Sequence, residues 1–178
     1  MPMVVDRVAW KISVIGQPKS GKSSLISRIV YDTYESSGQS KPINKKRFTL
    51  ENGQDKILAD VLFQEILSQD ESDRLLPGST AIIITVDITN QSSLKYAEEV
   101  LKFTKNFERK PHISLVATKL DMKYEAAIWI DDLNRVCNKF GIQFYMTSAK
   151  TGEGIAETVK AITGALAERF YARRRQTA

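Results

Sequence analysis

Cysteine is almost missing from this 178-residue chain. Cys137 stands alone, so no disulfide can form within the chain, and a reducing compartment is expected. Histidine is as scarce: His112 is the only one, beside Pro111, with no partner that would suggest a base or a metal site. Long apolar runs are absent too. Pieces such as Ala81–Ile84 are strand-sized, far short of the eighteen or so residues a membrane span needs. The first residues, Met1 to Arg7, lack the basic-then-apolar layout of a signal peptide. Proline at position 2 and the absence of a C-terminal prenylation box argue against a direct lipid anchor. No repeat, low-complexity block or Pro/Gly linker divides the chain. The expectation is one cytoplasmic domain over 1–178, with its core at about 9–171 and a short basic tail at 172–178.

Charge is present but dispersed. Lysine and arginine outnumber aspartate and glutamate by 26 to 21, a net charge of +5. The clusters are Lys45-Lys46-Arg47, Lys102/Lys105/Arg109/Lys110 and Arg173-Arg174-Arg175. Aromatic residues are not interleaved with them, so no nucleic-acid partner is expected. The arginine triplet alone would touch an anionic lipid surface only marginally.

Short β-branched runs alternate with longer helical patterns. Strands are expected at Ala9–Ile15, Arg47–Glu51, Ile57–Leu62, Ala81–Asp87, Ile113–Thr118 and Gln143–Thr147. Helices should start near Gly21, Ser92, Ala126 and Gly154. The last carries an apolar stripe of Ile155, Val159, Ile162, Leu166 and Phe170. Serines 92 and 93 offer a cap for the helix bearing Leu94, Ala97, Leu101 and Thr104. Asn52-Gly53 is a hairpin signal that makes the second and third strands antiparallel. The pattern predicts an α/β fold: a six-stranded, mostly parallel sheet with one antiparallel strand and helices on both faces. Cys137, Trp10 and Trp129 are expected to be packing residues.

Directly after the first strand stands Gly16-Gln17-Pro18-Lys19-Ser20-Gly21-Lys22-Ser23. Glycines in this pattern let backbone N–H groups surround phosphates at a helix N-terminus, Lys22 would reach the β- and γ-phosphates, and the Ser23 hydroxyl would hold Mg²⁺. Chance yields such a pattern in roughly one chain in a hundred of this length, and here an apolar strand precedes it while Leu25, Ile26, Ile29 and Val30 follow at helical spacing. A bound nucleoside di- or triphosphate is implied.

Two later segments, Thr118-Lys119-Leu120-Asp121 and Thr147-Ser148-Ala149-Lys150-Thr151-Gly152-Glu153-Gly154, follow in the order and at the distances that resemble the Ras-like small GTPases. The resemblance covers roughly 9–171 and implies a P-loop G domain binding GTP or GDP with Mg²⁺. By the same resemblance Asp121 would read guanine, Lys119 would lie along the base, and the Ala149 N–H would meet guanine O6. Ser148 and Lys150 would shape the pocket with Thr118, and Gly16, Lys19, Ser20, Gly21, Lys22, Ser23 and Ser24 would hold the phosphates. The threonine in place of asparagine resembles the Rho-type variant.

Two family elements are irregular. The D-x-x-G-Q motif supplies an aspartate toward Mg²⁺, a glycine at the γ-phosphate and a glutamine that orients water. Its nearest match runs from Asp60 to Glu65, with Gln64 as the catalytic glutamine but Phe63 where glycine belongs. The alternative is that Ile57–Phe63 is one longer strand with no catalytic glutamine in it. For the first mobile loop, the Mg²⁺-binding hydroxyl would come from Ser40, or from Thr33. Pro18 in the phosphate loop would crowd the glutamine and any arginine finger. Regulators and effectors would act through 31–47 and 60–77. The expected function is a slow, Mg²⁺-dependent GTP hydrolase cycling between GTP and GDP forms as a switch. The alternative is a pseudo-GTPase, a binding module or complex subunit that hydrolyses little or nothing.

Overall fold

The computed structural model describes residues 5–34, 43–53 and 55–177. Six strands form one sheet in the order β2-β3-β1-β4-β5-β6. β1 (Val5–Gly16), β3 (Asp55–Glu65), β4 (Ala81–Asp87), β5 (His112–Thr118) and β6 (Gln143–Met146) run parallel. β2 (Ile43–Asn52) pairs antiparallel with β3, and Asn52 lies opposite Asp55. Gly53 sits in the turn at φ +63°, as the hairpin signal requires.

Among the described residues five α-helices cover the two faces: α1 (Lys22–Tyr31), α2 (Gln69–Leu75), α3 (Gln91–Thr104), α4 (Ile130–Phe140) and α5 (Ile155–Thr177). Alternate residues of the central strands feed opposite cores. Ile82, Ile84 and Val86 pack with Leu94, Leu101, Leu133 and Val136 under α3 and α4. Ile83 and Val116 pack with Leu25, Ile26, Ile162 and Leu166 under α1 and α5. This two-sided burial is what makes the inner strands read as continuous apolar runs. None of the described helices is long and apolar enough to cross a membrane.

β1 and β3 are longer than their apolar runs. Val5 to Lys11 pair only with β3, while β4 joins β1 from Ile12 onward. That half of β1 alternates exposed and half-covered residues, a pattern too weak to read in isolation. Asn90, not a serine, caps α3: its side chain accepts from the Ser92 N–H at 3.1 Å. α4 starts at Ile130, not near Ala126, after a 3₁₀ segment at Leu120–Glu125. Cys137 and Trp10 are buried as expected, whereas Trp129 is 65% exposed at the N-terminus of α4. The basic residues from 172 to 177 continue α5 instead of leaving it as a tail.

Candidate functional site

The carboxyl ends of β1, β3, β4, β5 and β6 meet at one end of the sheet, where ligands of open α/β folds bind. The loop after β1 turns sharply against β4. A Cβ on Gly16 would collide with the Thr85 side chain and lie 2.8 Å from its carbonyl oxygen, so only glycine fits. Ser20 Oγ and Thr85 Oγ1, 2.7 Å apart, pin the loop to the sheet. Lys19 holds φ +65° and Gly21 φ +92°. The lysine accepts a backbone conformation that costs a side chain about 1 kcal/mol or more, the kind of local strain found where backbone N–H groups must converge on a ligand.

Lys22 opens α1 and is only 6% exposed. Its Nζ donates to the carbonyls of Gly16 (2.9 Å) and Gln17 (3.1 Å), which hold the ammonium over the loop. Burial lowers its pKa, and the charge of Glu65 partly offsets that shift. Ser23 Oγ donates toward both carboxylate oxygens of Glu65, at 2.8 and 2.9 Å. Two oxygens of the kind that suit a hard cation, a hydroxyl and a buried carboxylate, thus stand side by side at the start of α1. That donor set fits Mg²⁺.

The carboxylate that meets Ser23 is Glu65 and not Asp60. β3 continues through Phe63 and Gln64 to Glu65, so the longer-strand alternative holds. Asp60 lies mid-strand opposite Arg47, which grips it at 2.7 and 3.1 Å, with Lys45 3.4 Å away. The Arg47 hydrogen bond is the main reason its pKa falls to about 2. Phe63 is buried against α1 and α5, not a displaced glycine. Gln64 sits on the face opposite Glu65, since side chains alternate along a strand, and it does not join Lys22 and Ser23. Counted from Glu65 instead, the D-x-x-G-Q offsets fall on Ser68 and Gln69. Ser68 caps α2 by accepting from the Glu71 N–H at 3.2 Å, and Gln69 opens that helix with its Nε2 2.8 Å from Asp73 Oδ1. Of the two hydroxyls expected to meet Mg²⁺ before β2, Ser40 falls outside the described residues and Thr33 is exposed just past α1.

A cavity of about 230 Å³ opens beside the phosphate loop, lined among others by Ser24, Thr118, Lys119, Asp121, Ala149 and Lys150. Thr118 Oγ1 donates to the Ser20 carbonyl at 2.6 Å, joining this pocket to the phosphate loop. Lys119 Nζ pairs with Asp87 Oδ2 at 2.6 Å. Burial raises the Asp87 pKa, but the hydrogen bonds from Lys119 and Thr89 outweigh it and the net shift is downward. Ser148 Oγ donates to Asp121 Oδ1 at 2.5 Å and holds that carboxylate at the pocket rim. Gly154 is forced as well: a Cβ there would strike the Met146 carbonyl oxygen. Of the expected binding residues, all but Ser40, Asp60 and Gln64 gather around this loop and pocket.

The family model for the Ras family matches residues 11–168 of the chain. The chain belongs to the Ras family. Small-GTPase-like nucleotide-binding regulators make up this family, and the P-loop fold of its members is the six-stranded fold described above. As a Ras-family domain, the chain departs from the usual motif at β3, which runs on through Phe63 to Glu65. Sequence reasoning did not single out Glu65, which the structure places beside Ser23, because the regular burial alternation of β3 up to Glu65 is not carried by residue type: Leu58 and Leu62 are apolar on the less buried face and Glu65 is charged on the buried one.

Proposed function

We propose that this chain binds GTP and GDP with Mg²⁺ and hydrolyses GTP slowly, with Ser23 and Glu65 as the protein's metal-side oxygens and Gln69 as the residue that orients the attacking water. The observation that carries the reading is the Ser23–Glu65 pair beside buried Lys22. Lys22 and the first N–H groups of α1 bind the phosphates and stabilise charge that builds up in phosphoryl transfer, which is mainly a matter of positioning and electrostatics. Ser23 and Glu65 would hold Mg²⁺, which when bound would supply positive charge against that of the phosphates. Asp121, oriented by Ser148, selects guanine over adenine through donors that only guanine offers, because a polar partner left unpaired is costly. Ser40, or Thr33, is the proposed hydroxyl ligand from the segment between α1 and β2.

The test is single-turnover conversion of bound GTP in wild type beside Gln69→Leu, Gln64→Leu, Glu65→Gln and Asp60→Asn. Glu65→Gln should weaken Mg²⁺-dependent nucleotide retention about tenfold or more, while Asp60→Asn leaves it unchanged. Gln69→Leu should slow hydrolysis about tenfold or more, and Gln64→Leu should not. The binding-module alternative is favoured by Gln69 being engaged with Asp73 and by a serine standing at the glycine offset. Intact GTP in wild type and every variant would establish that alternative.

A further inference from the structure

At the end of the sheet opposite Lys22, the starts of β4 and β5, the connection after α3 and the last turns of α5 enclose two adjoining cavities of about 290 and 340 Å³. Lys110, Pro111 and Arg169 line both. The first adds Arg109 and Arg173 over Trp10, and the second adds Lys105 and His112. No aspartate or glutamate lines either one among the described residues. Glu108 and Glu168, the acids nearest in sequence, are exposed and outside both linings.

These cations differ from others on the surface. Arg174 pairs with Asp6, and Arg135 and Lys139 share Glu98. Lys105, Arg109, Lys110, Arg169 and Arg173 take part in none of the ion pairs among the described residues. Two are instead tied to backbone carbonyls: Arg169 Nη1 to Lys110 O at 3.2 Å, and Lys110 Nζ to Lys105 O at 2.5 Å. Those bonds position the side chains and leave their charge uncompensated. Like charges crowd as a result. Burial, and then the neighbouring Arg173, lower the Arg169 pKa; burial, and then Arg169, lower that of His112. Cations gathered over an apolar floor focus a positive field that an anion would relieve.

We propose that this cleft binds a ligand carrying several phosphomonoester groups, gripped by Arg109, Lys110, Arg169 and Arg173. Guanidinium forks one helical turn apart on α5 match the geometry of phosphate oxygens, and the volume exceeds what a single phosphate fills. A soluble polyphosphate and a phosphorylated lipid headgroup share this chemistry.

Full-length protein with excess GDP and Mg²⁺, so that the phosphate loop is filled, is titrated with inositol hexakisphosphate at physiological salt. The comparison is with Arg169→Gln/Arg173→Gln and with a charge-matched control on α4, Arg135→Gln/Lys139→Gln. GDP retention reports folding in each. One saturable site is expected, weakened at least about tenfold in the α5 variant and less than about twofold in the control. Absence of saturable binding, or equal loss in both variants, overturns the proposal. Sedimentation with phosphatidylcholine vesicles then separates the sources. Capture by vesicles containing phosphatidylinositol bisphosphate, but not by phosphatidylserine vesicles of equal charge, supports a lipid headgroup. Inositol hexakisphosphate binding without vesicle capture supports a soluble ligand. Equal capture by both vesicles, insensitive to the α5 variant, reduces the cleft to diffuse surface charge and overturns it.

Discussion

Asp60 and Glu65 share a strand at an odd spacing, and that spacing alone gives them opposite surroundings. Side chains of a strand alternate, so one carboxylate faces Arg47 and Lys45 while the other reaches Ser23. Aligning the motif on one acid or on the other therefore assigns opposite faces of the strand. Cys137 illustrates a second residue-scale effect. Burial pushes its thiol pKa up from 9.0 to about 11. The neutral thiol is favoured in the folded state, so its stabilising contribution is complete below pH 9 and is lost as pH rises through about 11. Iodoacetamide at pH 8 should leave Cys137 of the native protein unmodified and label it on addition of denaturant, which mass spectrometry would read directly. Labelling of the native chain at the rate of a free thiol would contradict the burial.

Among the elements, β3 decides most. Phe63 is only 1% exposed and touches Phe48 edge-to-face, with ring centroids 6.5 Å apart. Phe63→Gly would restore the family glycine if Asp60 began the motif. On this strand it should instead cost about 4 kcal/mol or more, through a cavity and a loosened backbone, measurable by urea denaturation. A neutral or stabilising result would return the motif to Asp60. The parallel core strands, the hairpin at Gly53 and the α5 stripe were legible because each rests on local periodicity or turn chemistry. α2 was not legible: its seven residues are nearly all polar, and only Ser72 is buried. That β3 extends to Glu65, beside Ser23, was hidden for another reason. Hydrophobic alternation gives a strand's faces but not where it stops, and a D-x-x-x-Q-E string imitates the motif inside the strand. Trp129 misled through size alone, since a large ring at a helix start can lie on the surface.

For the whole molecule, chemistry is divided between two ends of one sheet. Phosphate-binding backbone, Lys22 and Glu65 lie at the carboxyl end, and the unpaired cations at the other. A ligand on the basic cleft would thus leave the nucleotide face free. Stability should follow nucleotide by mass action: GDP with Mg²⁺ at about a thousandfold excess over Kd adds about 4 kcal/mol. Differential scanning fluorimetry should show a rise in Tm that chelation reverses in wild type, with a smaller rise and little response to chelator in Glu65→Gln. Equal behaviour of the two proteins would remove Glu65 from the metal's surroundings. Arg28 links the halves of the site across α1. Its guanidinium donates to the carbonyls of Ala149 (2.7 Å) and Lys150 (2.9 Å), while Thr118 holds the Ser20 carbonyl. The phosphate loop and the loop at 149–150 are thereby bolted together. Any displacement of α1 would drag the 149–150 loop with it, so the two should open as one body and not one after the other.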